Sequence, residues 1–182
     1  YNNSQVIKME DIFEIVDEND NVIGRELRNI VHTKGLLHRS AQVILVNSKG
    51  EIFLQQRSPD KRICPLAWDI GVAEHLKPGE SYNEAAKRGL KEELGIDVDV
   101  ELIMPAYRED NEYESGKTID REFAAVFRAV SDNVKIDGVE VVDGRFFSIE
   151  EVRNMMKESA VKFTPWFVNL WKMLEENNLL TK

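Results

Sequence analysis

The sequence predicts a mixed α/β fold of the α+β kind over residues 1–182. Strand-like runs come in pairs around short turn clusters, and helix signals are few. The two kinds of segment do not alternate as a long βαβ series would. With 182 residues, 42% of them hydrophobic and 31% charged, the chain has the length and composition of one globular domain. No repeat, low-complexity tract or Pro/Gly/Ser linker divides it.

Residues 12–16 (IFEIV) and 22–27 (VIGREL) read as strands around the turn cluster Asp17–Asn21, an N-terminal hairpin extension of the domain. Residues 41–47 (AQVILVN) and 51–56 (EIFLQQ) flank Ser48-Lys49-Gly50 and predict a second hairpin. A Pro-containing connection leads to Trp68-Asp69-Ile70. The next helix has both ends marked, with Ser81 as N-cap, Glu84 as its capping-box partner and Gly95 after the last turn. Ala85, Ala86, Leu90 and Leu94 form its apolar side, which leaves Arg88, Glu92 and Glu93 to face elsewhere. Strands are expected at 99–106, 121–130 and 140–147. A second helix starts near Ser148 with Glu151 as box partner, and a third at Thr164-Pro165, with Pro in its favoured first turn.

The net charge of −9, with no Lys/Arg stripe, argues against long nucleic acids, whose phosphates dominate their binding. A small anionic substrate is compatible, because divalent metals bridge carboxylates to phosphate oxygens. No apolar run reaches the ~20 residues of a membrane span. Cys64 is the only cysteine, so no internal disulfide forms and a reducing cytoplasm is the expected compartment. Cys64 itself reads as a small buried residue. The start, Tyr1-Asn2-Asn3-Ser4, has neither Met nor a signal-peptide layout and reads as trimmed. Oligomeric state has no signature here.

The chemistry concentrates in residues 74–96, EHLKPGESYNEAAKRGLKEELGI. Adjacent glutamates on a capped helix after a Gly-containing loop suit Mg²⁺, a hard ion that takes oxygen ligands and shares its shell with substrate phosphates. Arg88 and Glu92 share a helix face, so Arg88 can orient a carboxylate. The alternative is a solvated face with ordinary ion pairs.

This segment resembles the Nudix box: Gly, five residues, Glu, seven residues, then Arg-Glu-apolar-any-Glu-Glu-any-Gly-apolar. Glu80, Arg88, Leu90, Glu92, Glu93, Gly95 and Ile96 stand at the required spacing. The resemblance implies the Nudix fold, a mixed β-sheet sandwiched by helices, from about Ile12 to the C-terminal helices. It also implies Mg²⁺ or Mn²⁺ held by Glu92 and Glu93 with Glu80. Two positions depart from the box. Glu74 replaces its opening Gly, and Gly89 replaces the Glu after Arg, one of three clustered carboxylates. A helix-interior Gly costs ~1 kcal/mol relative to Ala, so Gly89 is not there for helix stability. The expectation is that Glu74 returns a carboxylate to the space vacated at 89, which requires the two positions to face each other.

The histidines are His32, His38 and His75. His-plus-carboxylate clusters suit borderline metals. Here the chain resembles the Nudix branch of type 1 isopentenyl-diphosphate isomerase and its hydrolase-like relatives. That resemblance implies a second divalent metal held by His32, His38, His75, Asp120 and Glu122. It also assigns Arg57 and Lys61 to the substrate diphosphate and makes Thr164-Pro165-Trp166 the counterpart of a late Ser-Pro-Trp segment, with Trp166 lining the pocket. Arg offers phosphate a planar fork and Lys a point charge. The isomerase also needs a cysteine two residues before the third histidine, and Ala73 stands there.

The leading expectation is therefore hydrolysis of a diphosphate linkage in a nucleoside diphosphate-X or similar small compound, with Glu92, Glu93, Arg88 and Glu122 as catalytic machinery. Glu122 is the candidate base or second-site ligand. The alternatives are isopentenyl-diphosphate isomerisation, which Ala73 opposes, and a diphosphate-binding module without catalysis. Loops 57–67 and 107–120 are expected to set specificity. Tyr107, Tyr113 and the acidic run Glu109–Glu114 read as a solvated loop, with a border of the pocket as the alternative.

Overall fold

In the computed structural model, which describes residues 11–136 and 141–180, β3 (His38–Val46) runs through the middle of the protein. Strand alternation decides what it separates. Ala41, Val43 and Leu45 point toward α2 (Tyr82–Leu94) and pack with Ala85, Leu90 and Leu94. Ile44 points the other way and joins Val152 of α3 (Ile149–Lys157) and Phe167 and Leu170 of α4 (Pro165–Glu176). The result is a mixed sheet with helices on both faces, as the sequence predicts.

The larger sheet has the order β5-β4-β3-β8-β7, with β6 also on β3 and β9 also on β4. Its remaining strands are β4 (Ile52–Arg57), β5 (Trp68–Ile70), β6 (Val72–His75), β7 (Glu101–Tyr113), β8 (Thr118–Val130) and β9 (Val141–Phe147). β3 and β8 pair in parallel from His38↔Glu122 to Val46↔Val130. Residue 140 of the expected last strand lies outside the described residues. Among the described residues no helix is long and apolar enough to cross a membrane.

The second expected hairpin is corrected. Its turn forms, with Asn47 N donating to Glu51 O at 3.0 Å and Gly50 at φ 77°. The strands, however, pair only at Val46↔Ile52 and then part. β3 takes β8 and β6, while β4 takes β5 and β9. Both carry near-continuous apolar runs buried on two faces, the pattern of interior strands that need a neighbour on each side.

Residues 107–113, expected as a loop, extend β7, which pairs with β8 as far as Tyr113↔Thr118. Glu109 is therefore buried rather than solvated. Cys64 is only partly buried and takes a positive φ of 49°. The sequence also gave no sign of α1 (Arg28–Lys34), which has Leu27 as N-cap with no side-chain cap bond. Its one end signal is Gly35, left-handed at φ 62°.

Both capping boxes form, Ser81 with Glu84 and Ser148 with Glu151, and Thr164 accepts from Phe167 N to start α4. β1 (Ile12–Val16) and β2 (Val22–Leu27) make a separate two-stranded sheet that docks Phe13 and Val16 in buried positions. α2 presses closely on β6. A Cβ added at Gly89 meets Val72 Cγ1 at 2.5 Å and Glu74 Cβ at 3.2 Å. Gly89→Ala should therefore lower stability by about 1–2 kcal/mol, overpacking outweighing the ~1 kcal/mol gain in helix propensity. A denaturant midpoint measurement checks the sign.

Candidate active site

Three sheet strands and one short helix bring the histidines and acids to one corner. The register of β3 sets His38 beside Glu122 on one side and Ser40 beside His75 on the other, while the last turn of α1 delivers His32. His32 Nε2 and His38 Nε2 lie 3.4 and 3.3 Å from the same oxygen, Asp120 Oδ1. Glu122 Oε2 lies 3.6 Å from His75 Nε2 and 3.9 Å from His38 Nε2. All five residues of the expected histidine–acid set meet.

The hydrogen bonds behind the rings fix what they present. Nδ1 of His32 and of His38 each lies 3.0 Å from a main-chain oxygen, Arg28 O and Leu36 O. A carbonyl only accepts, so both Nδ1 atoms carry the hydrogen and both Nε2 atoms offer lone pairs. Those lone pairs face a carboxylate oxygen, acceptor against acceptor. His38 Nε2 and Asp120 Oδ1 are buried without a hydrogen-bond partner, a costly arrangement that a cation between them relieves. Two donors on one ion at ~2.1 Å stand about 3.0–3.4 Å apart, close to the separations here. His32, His38, His75 and Asp120 place one ligand atom each within 4.8 Å of one another. The set fits a divalent ion, and the backbone carbonyls orient its histidines.

Burial pushes the Glu122 carboxyl well up, and the neighbouring Asp120 charge adds to it. For Asp120 burial also acts upward, but the imidazoles of His32, His38 and His75 clustered around it outweigh burial and hold the acid well below the usual carboxylate range. Burial, followed by His38, keeps His75 neutral to well below its ordinary value. Asp120 and His75 are thus shifted toward their ligand forms, whereas Glu122 is shifted toward its protonated form, with which an ion must compete. Divalent-metal affinity should accordingly fall as pH falls, by up to about tenfold per unit for each proton displaced. Calorimetry in buffers of different ionisation enthalpy checks this by showing proton release.

A cleft of about 470 Å³ opens onto this corner. Glu74, His75, Glu93, Asp120 and Glu122 line it, as do Arg57, Lys61 and Trp166. The Arg57 guanidinium sits 5.1 Å from the centre of the Trp166 ring, and Nη1 lies 3.3 Å from Asp69 Oδ2. Asp69 is buried, and its Oδ1 accepts from Thr164 Oγ1 at 2.9 Å and Trp166 Nε1 at 2.8 Å. One carboxylate therefore sets both the cation and the aromatic wall. Arg62 reaches across the cleft mouth to Thr118 and Glu114.

The other Nudix-box residues stand beside the cleft rather than on its lining. Arg88 is gripped by Glu80 through Nε–Oε1 at 2.6 Å and Nη2–Oε2 at 2.9 Å. It also contacts His75 O at 2.9 Å, Glu74 Oε2 at 3.1 Å and Glu92 Oε2 at 3.3 Å. Arg88 thus ties the loop and β6 to α2, and Glu92 is largely exposed on that tie, near Lys77. Glu93 points into the cleft, accepting from Gln55 Nε2 at 3.2 Å.

Sequence reasoning missed two contributors. Phe13 of the N-terminal hairpin stacks on His75 and His38, with ring centres 4.7 and 5.4 Å apart, and so covers the cluster. Asp69 was read only as part of the segment WDIGVAEH, which resembles the Trp-Asp-Ile run of the hydrolase-like relatives, and its anchoring role went unseen because its partners Thr164 and Trp166 lie far along the chain. Tyr113 lines the cleft, the alternative to a solvated loop, and packs edge-on against Trp166 at 5.8 Å. The alternation Tyr107, Glu109, Asn111, Tyr113 was the available clue to a strand, masked by its charge.

Sheet, box helix and donor cluster together describe an enzyme framework with a cluster able to hold a divalent ion. The chain belongs to the Nudix family: the NUDIX domain model matches residues 36–167. Among curated proteins, isopentenyl-diphosphate delta-isomerase 1 of Photorhabdus laumondii is 32% identical over 172 residues, 90% of this chain and 94% of that protein. An uncharacterised Nudix hydrolase of Pseudomonas aeruginosa is 33% identical over 145 residues, 77% of this chain and 82% of its own. The crystal structure of DR0079 from Deinococcus radiodurans shares the fold, with a TM-score of 0.70, 22% identity and coverage of 91% of this chain and 98% of that one.

Proposed function

We propose that this protein hydrolyses a diphosphate linkage in a small nucleoside diphosphate-X or related compound, with divalent metal. The observation that carries this reading is Ala73. It lines the cleft where isomerisation would require a proton carrier. Cys64 does not replace it, because it sits in the 57–67 loop and is absent from the lining. Double-bond migration needs one group to protonate and another to deprotonate, and Glu122 alone cannot serve both. Attack by water needs one base.

Glu93 with Glu74, and the cluster of His32, His38, His75, Asp120 and Glu122, would hold Mg²⁺ or Mn²⁺ on the cleft side. Glu92 and Glu80 act through Arg88. Bound metal supplies charge neutralisation at the phosphates and makes water more acidic. Arg57 and Lys61 bind the diphosphate, and Trp166 forms the wall for the organic part. Glu122, in its ionised form, serves either as a ligand of this cluster or as the base that takes the proton from the attacking water.

Isomerisation of isopentenyl diphosphate is the second reading, favoured by the similarity to named isomerases along most of the chain. The relatives are named as enzymes, which leaves a purely binding module without support. The deciding experiment offers the metal-loaded protein nucleoside diphosphate compounds and isopentenyl diphosphate, following phosphate release and isomer ratio together. Release without a change in isomer ratio is expected. Isomerisation without release overturns the hydrolase reading.

A further inference from the structure

The two departures from the Nudix box meet in space. Gly89 lies on the face of α2 that packs against β6, and the space its missing side chain would occupy is taken by Val72 Cγ1 and the Cβ and Cγ of Glu74, at 2.5, 3.2 and 3.6 Å. The Glu74 side chain crosses the helix at the point where α2 carries none. Its carboxylate then reaches Arg88 Nη1 at 3.1 Å and lines the cleft together with Glu93. A side chain added at 89 would clash with Val72 Cγ1 at 2.5 Å and press on Glu74 Cβ at 3.2 Å, so the helix and strand compete for this space.

We propose that Glu74 and Gly89 form an exchanged pair, in which β6 delivers to the metal-binding corner the carboxylate that the box otherwise carries on α2. Glu74 acts there as a ligand beside Glu93, and Gly89 is the clearance that admits it. Arg88 holds the Glu74 carboxylate from one oxygen and leaves the other for the ion. The inference rests on the metal-dependent reading of the site and adds to it the source of the missing acid.

The test measures Mn²⁺ binding to the purified protein by electron paramagnetic resonance, with thermal melting alongside. Glu74→Gln keeps the side chain's length and an oxygen for Arg88 but removes the charge. It should weaken Mn²⁺ binding at the box site about tenfold or more while melting like the parent protein. Glu74→Gly should lose the same binding. Restoring the helix-borne acid in the triple variant Val72→Ala, Glu74→Gly, Gly89→Glu should recover most of it. Unchanged Mn²⁺ affinity in Glu74→Gln overturns the exchange, whatever the triple variant does. Because the readout is binding, loss of Mn²⁺ in Glu74→Gln with no hydrolysis of any compound by the parent protein would sustain the exchange and sink the hydrolase reading.

Discussion

Glu93→Gln should reduce metal-dependent hydrolysis by about 10²–10⁴-fold while leaving the fold intact. Glu93 sits in the last turn of α2 with its carboxylate in the cleft, where the Gln55 amide donates to it at 3.2 Å. Gln55 also donates to Gly71 O at 3.1 Å, so the carboxylate is positioned from the sheet as well as from its helix. The substitution preserves shape and an accepting oxygen, so stability should change little. Turnover under saturating Mg²⁺, together with a thermal melt, separates loss of chemistry from loss of fold. An enzyme retaining parental turnover would show that Glu93 is only a structural acid.

Removing Asp69 should have the largest effect on stability. Asp69→Ala leaves the Thr164 hydroxyl, the Trp166 indole N–H and the Arg57 guanidinium without the carboxylate they share. Thr164 is fully buried, as Asp69 nearly is, so the loss exposes unsatisfied groups in an apolar surrounding. Breaking such a buried charged hub costs roughly 3–5 kcal/mol. For a chain of this size that is a fall of about 6–20 °C in the melting midpoint, with about 2–4 °C per kcal/mol. The same variant should raise KM more than it lowers kcat, because Arg57 and Trp166 lose their orientation while the metal ligands keep theirs. A melting midpoint within a degree or two of the parent would contradict the hub.

Most of this fold was legible because its signals are local. Ser81-x-x-Glu84 and Ser148-x-x-Glu151 mark helix starts within four residues, and both boxes form as read. What failed was non-local. The 41–47 and 51–56 hairpin is a correct turn between strands whose partners lie up to about 90 residues away, and local pattern carries no information on that choice. β7 was read too short because its charged residues resemble a solvated loop. Glu109, Asn111 and Tyr113 nevertheless alternate on a strand whose partner, β8, bears Asp120 and Glu122. α1 is too short to show periodicity and lacks a capping side chain, although it carries His32.

The site divides the same way. The box residues were recognised by their Nudix-box spacing and the three histidines and two acids by resemblance to the isomerase branch, and the structure brings the histidines, both acids, Glu93 and Glu74 to one cleft. Spacing gave the Arg88–Glu92 pair but could not tell that Arg88 also binds Glu80 and Glu74, since three glutamates sharing one arginine is a tertiary fact. Nor could it show Phe13 closing over the imidazoles or Asp69 holding Arg57 and Trp166.

The most direct test of the account is isotopic. The metal-loaded protein is incubated with nucleoside diphosphate compounds and, separately, isopentenyl diphosphate in water enriched in ¹⁸O, and the products are weighed by mass spectrometry. Hydrolysis at a diphosphate linkage predicts one ¹⁸O in a phosphate-bearing product, dependent on added Mg²⁺ or Mn²⁺ and absent with Glu93→Gln. No ¹⁸O in any phosphate product, together with conversion of isopentenyl diphosphate to its isomer at unchanged mass, would contradict it.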